Sequence, residues 1–85
     1  MNKLEQILDN YPEEGFVIID GFDDAIIGVN TDSDPMKLVY SVPEMIECLM
    51  KQDMTLDEAI DFFEYNTRRS IPYVENAPIL VDMFE

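Results

Sequence analysis

The chain has 85 residues, nineteen of them Asp or Glu against five Lys or Arg and no His, for a formal net charge of −14. That imbalance excludes direct nucleic-acid binding and an anionic membrane as natural targets, because gripping phosphate takes clustered Lys and Arg. A hydrophobic content of 47%, with 11% aromatic residues, separates the chain from acid-rich disordered sequences and predicts a single folded domain over 1–85.

Residues 2–11 place Leu4, Ile7, Leu8 and Tyr11 at the i, i+3, i+4, i+7 spacing of a helix face. Asn2 and Glu5 supply the pattern of a capping box, and Tyr11-Pro12 ends the helix. FVIID at 16–20 is short and β-branched, which predicts a strand; being apolar on both faces, it is expected at the centre of the sheet. After a turn at Gly21 to Asp24, AIIGVN at 25–30 reads as a second strand, with Gly28 marking a bulge or a place where a large side chain crosses. The polar segment 31–35 leads to a third strand, KLVYS at 37–41, and the three form an antiparallel meander.

Ser41-Val42-Pro43-Glu44 and Thr55-Leu56-Asp57-Glu58 both have the S/T-x-x-E form of a capping box with an apolar staple. They predict helices over 42–52 and 56–68, joined as an αα-hairpin. Leu56, Ala59, Ile60 and Phe63 share the apolar face of the second. Two prolines then bracket a loop, and ILVDM at 79–83 is expected as a final strand at one edge of the sheet. The expected architecture is α+β in two layers: a three- or four-stranded, mainly antiparallel sheet packed with three helices.

Without His, the usual Ser/His and Cys/His nucleophile pairs cannot form, and no enzyme activity or cofactor is expected. Cys48 follows Glu47 on a helix and reads as a core cysteine whose thiol the negative surroundings keep protonated. As a lone cysteine it forms no internal disulfide, which fits a reducing compartment. No apolar run has the length of a signal peptide or a membrane span, so a cytoplasmic location and no membrane contact are expected. Asn30-Thr31-Asp32-Ser33-Asp34 imitates the start of an EF-hand loop, but the positions that should hold Gly and Glu are Pro35 and Ser41. No specific metal site is expected there.

The acids are distributed unevenly. Nine between Glu5 and Asp34 have no basic residue among them, and five more lie between Asp53 and Glu64. Asp57, Asp61 and Glu64 form a row on one helix face, about 10 Å long at 1.5 Å per residue. Like charges at this spacing cost a few tenths of a kcal/mol, which hints at a use. The spacing is of the order of successive phosphates on a nucleic-acid strand. Solubility alone also accounts for the charge. Arg68 and Arg69 sit where cations favour a helix dipole. Asn66 is placed to satisfy a backbone group, Phe63 is the expected core aromatic, and Phe62, Tyr65 and Tyr73 are candidates for an exposed apolar interface.

DGFDDAIIGV at 20–29, LVYS at 38–41 and MTLDEAIDFFEYN at 54–66, with the RRSIPYVENAPILV end, resemble a family of small uncharacterised acidic proteins of tailed bacteriophages. The resemblance covers most of residues 16–81 and implies a viral accessory protein made in the bacterial cytoplasm, with no activity or ligand attached. The resulting expectation is a noncatalytic interaction protein that binds a basic surface of a host protein, as an inhibitor or a nucleic-acid mimic, with Asp20, Asp23, Asp24, Asp57, Asp61 and Glu64 as contacts. The alternative is a homo-oligomeric structural or scaffold protein, a homodimer or larger, joined through the apolar flank and the edge strand near residues 79–81.

Overall fold

The computed structural model describes residues 3–12, 15–32 and 35–82. It is an α+β fold with the element order α1 (Lys3–Asn10), β1 (Ile26–Asn30), β2 (Lys37–Ser41), α2 (Val42–Met50), α3 (Leu56–Phe62) and β3 (Ile79–Val81). Short 3₁₀ turns occupy Asp23–Ala25 and Ile71–Tyr73, and a π-helical segment, Phe63–Arg68, continues α3.

The sheet has three strands in the order β1-β2-β3. β1 and β2 form an antiparallel hairpin, whereas β3 runs parallel to β2 after the chain has passed through both helices. Such a return needs a long crossover, and the αα-hairpin provides it. The expected bulge is present: Ile26 pairs with Tyr40 and Gly28 with Val39, leaving Ile27 as the extra residue. A Cβ at Gly28 would meet nothing within 4 Å, so no side chain crosses there.

Residues 16–20 are not a strand. The central position belongs to β2, and the expected three-strand meander is a two-strand hairpin. The apolar side chains of FVIID find their burial without ladder pairing: Phe16 and Ile19 pack against the core, and Phe16 meets the Tyr11 ring edge-on at 6.4 Å. One main-chain donor of the segment is satisfied by a side chain, the Ile19 N–H donating to the Tyr40 hydroxyl at 3.0 Å. The segment then turns through Gly21, whose φ of +87° is open to glycine at little steric cost.

A single apolar core joins the sheet and the helices. Ile26, Leu38 and Tyr40 come from the strands, Met45 and Leu49 from α2, Ala59 from α3 and Phe63 from the π-helical segment. The core-facing side of α1 is shallower: Leu4 and Ile7 pack against the core, Tyr11 is half-buried and Leu8 is exposed. The predicted cap Asn2 lies outside the described residues. The other boundaries contract: the helix expected over 42–52 ends at Met50, the strand expected at 25–30 begins at Ile26, and the last strand spans Ile79–Val81 and has ended by Asp82, while position 83 of the expected 79–83 lies outside the described residues.

The two predicted capping boxes part company. At Thr55 both reciprocal bonds form, Glu58 N–H donating to Thr55 Oγ1 at 3.2 Å and Thr55 N–H to Glu58 Oε1 at 3.0 Å. At Ser41 no side-chain cap bond is made. Ser41 is the last residue of β2, paired with Val81 and buried, so its position is set by the sheet rather than by the helix that follows.

Candidate functional site

α3 starts sharply because Thr55 caps it, and its core side is marked by Ala59, which is fully buried. At about 100° per residue, the direction opposite Ala59 falls midway between Asp57 and Asp61. These two carboxylates therefore stand on the crest of the helix, one turn apart and exposed. Among the described residues neither makes a salt bridge.

Glu64, the third member of the predicted row, differs. Its Oε1 lies 3.8 Å from Arg68 Nε, and Arg68 Nη2 is 3.6 Å from Asp82 Oδ1 beyond the end of β3. The same guanidinium sits over the Phe63 ring at 5.1 Å, a cation–π geometry. Arg68 thus ties the π-helical segment to the chain after β3, which the helix-dipole reading did not foresee. Asn66 donates through Nδ2 to the Phe62 carbonyl at 3.2 Å, as its place near the helix end implied.

Leu56 and Ile60 flank the crest on one side. The sequence assigns them to the core, yet they are 53% and 40% exposed. The buried stripe is narrower than the apolar one: Ala59, Phe63 and Thr67, each four residues on, are the inward residues. Ala59 points straight at the core, and at about 100° per residue Leu56 and Ile60 lie to one side of it and are left partly outside. They join Val42, Pro43, Ile46 and Met50 of α2 to wall a cleft of about 370 Å³, with Glu47 and Asp82 also in its lining. The apolar pattern of α3 alone did not show this cleft. The signal for it was the i, i+4, i+8 spacing of Ala59, Phe63 and Thr67.

On the other side of the crest, Phe62 and Tyr65 are exposed, Tyr65 at 69%, and line a shallow depression with Met54, Glu58, Asp61 and Asn66. Tyr73, at 89%, is exposed in the 3₁₀ turn Ile71–Tyr73 and lines neither hollow. The three aromatic candidates are thus not one patch.

Asp23 and Asp24 lie in the 3₁₀ turn that packs against α2, with Asp20 just before Gly21. They sit near different groups. Burial pushes the Tyr40 hydroxyl above its ordinary pKa, and the Asp23 and Asp20 charges add to the rise while the Ile19 N–H opposes it. Burial likewise raises the thiol of the half-buried Cys48, with Asp24, Glu44 and Glu47 adding and Lys51 opposing. A protonated thiol is a poor nucleophile. Asp20, Asp23 and Asp24 form an acidic turn separate in sequence and in element from the α3 crest.

In the hairpin loop, the Asn30 side-chain oxygen accepts from the Asp32 N–H at 2.9 Å, an Asx-type turn. Ser33 and Asp34 of the EF-hand-like stretch lie outside the described residues. Among the described residues no group of three or more His, Cys, Asp or Glu is placed to hold a metal ion, and no helix is long and apolar enough to cross a membrane. Comparison with protein-family models, curated proteins and solved structures finds no match.

Proposed function

We propose that this protein is a noncatalytic interaction module that docks the outer side of its αα-hairpin on a basic surface of another protein. The observation that carries this reading is the Asp57–Asp61 crest: two exposed carboxylates one turn apart, without a salt bridge among the described residues and pointing away from the core. Like charges so placed cost a few tenths of a kcal/mol, and a cationic partner turns that cost into complementarity. Exposed Phe62 and Tyr65 beside the crest are residue types that anchor interfaces.

With Glu64 already engaged by Arg68, the free part of the row is two carboxylates rather than three, which favours a compact basic patch over a long phosphate-binding groove as the target. The resemblance to phage proteins makes a protein of the bacterial host the natural partner, and occupation of its basic surface the natural mode of inhibition.

The test is to immobilise the protein and a double variant, Asp57→Lys with Asp61→Lys, and to expose both to bacterial lysate at about 50 mM salt, where surface electrostatics are weakly screened. The wild type should retain a partner that salt elutes, and the variant should lose it while melting no lower than the wild type. Retention of the same partner by a folded variant removes the crest from the interface.

A further inference from the structure

The cleft between α2 and α3 is a second recognition feature, and it carries more chemical information than the crest. Its walls are apolar side chains of Val42, Ile46, Met50, Leu56 and Ile60, and its lining is completed by Pro43 and two carboxylates, with no basic residue. Two carboxylates stand in its lining, Glu47 on α2 and Asp82 beyond β3, and the Asp57–Asp61 crest runs along the outer side of α3. Asp82 shares Arg68 with Glu64, and in the α2–α3 connection Lys51 is offset by Asp53. The charged groups in the lining of the cleft are therefore both acidic.

We infer that this cleft receives an amphipathic helix with a basic polar face, supplied by the partner protein. The inference rests on the reading of the chain as an acidic interaction module and names what that module holds. An apolar groove between two helices matches the helix-in-groove mode of recognition, in which anchors at i, i+3 or i+4 and i+7 enter the groove. Those anchors span about 10 Å, and the α2 wall from Val42 to Met50 is about 12 Å long. Exposed Met50 contributes a side chain that adapts to different apolar shapes. Lysines or arginines on the outer face of the bound helix would meet the carboxylates at the cleft, Glu47 and Asp82. A second copy of this chain is the poorer occupant, since it would bring another net charge of −14 to the same surface.

The experiment uses two synthetic leucine–lysine peptides of about 15 residues, close to the length at which isolated helices become marginal. In one, leucines follow helical spacing on one face; in the other, the same residues are reordered so that leucines surround the helix. Binding to the full chain is measured by titration calorimetry at low salt, with circular dichroism reporting peptide helicity. The amphipathic peptide should bind about tenfold more tightly than the reordered one and gain helix on binding. A Met50→Ser, Ile60→Ser variant should erase that difference. Both substituted side chains are exposed, so the variant keeps its fold, and the comparison of the two peptides on the unaltered chain stands without it.

Equal, salt-sensitive binding of both peptides would overturn the groove while leaving the acidic-surface reading intact. Failure of both peptides to bind would sink both readings. A salt-resistant dimer that the double variant converts to monomer would overturn the inference in favour of a second copy as the occupant.

Discussion

The hydroxyl of Tyr40 joins two parts of the chain that the sheet does not pair. The residue is fully buried in the central strand, and its oxygen accepts the Ile19 N–H across 21 residues of sequence. Replacing Tyr40 with Phe keeps the ring and removes the acceptor, so the Ile19 donor is left without it and stability should fall by about 1 kcal/mol. The loss should also depend on pH. Burial raises the pKa of this phenol in the folded state, so at the ordinary tyrosine value of about 10 the unfolded chain ionises while the folded one stays protonated. The stability tied to Tyr40 is complete below that pH and is lost as pH rises through the raised value. The gap in melting temperature between wild type and Tyr40→Phe should therefore narrow above about pH 10, and a gap that stays constant would show that the hydroxyl is not desolvated.

Helix starts provide a comparison within one chain. Thr55→Ala removes a cap whose reciprocal bonds are both present and should cost about 1 kcal/mol, read as a lower denaturant midpoint. At Ser41 the same four-residue pattern was present in the sequence without the cap in the structure, because strand pairing fixes that residue first. The elements that could be read from sequence were those with strong local determinants: the Thr55 box, the β2 strand at 37–41 and the Gly28 bulge. The segment 16–20 was misread because β-branched residues fit any half-buried extended chain, and strand pairing depends on context more than on composition. Likewise, Leu56 and Ile60 carry the apolar pattern of a core face, yet the buried line runs through Ala59 and Phe63 and leaves them at its side. The parallel placement of β3 rests on contacts distant in sequence, which no local pattern encodes. The acidic crest was legible as a row, but the capture of Glu64 by Arg68 depends on geometry.

For the molecule as a whole, charge acts on the same length scale as the fold. The described chain measures 38 × 30 × 22 Å along its principal axes, and the screening length is about 30 Å at 10 mM salt and about 10 Å at 100 mM. At low salt each carboxylate therefore feels most of the others, and a net charge of −14 opposes the compact state. At higher salt only near neighbours interact, and the two exposed ion pairs of Arg68 lose little, since surface pairs contribute at most about 1 kcal/mol. Repulsion is the larger quantity, so stability should rise with salt. Relief of about 1 kcal/mol would raise the melting temperature by about 4–8 °C in a domain of this size. Scanning calorimetry from about 20 to 500 mM NaCl should show the rise, and a chloride series compared with sulfate separates screening from the general strengthening of apolar burial by sulfate. A melting temperature flat in NaCl would mean that the carboxylates are spread so that their mutual repulsion is already small in water, which would also weaken the case that a basic partner gains much by neutralising them. The same salt that steadies the isolated protein should loosen its grip on that partner, so stability and binding are expected to move in opposite directions along one titration.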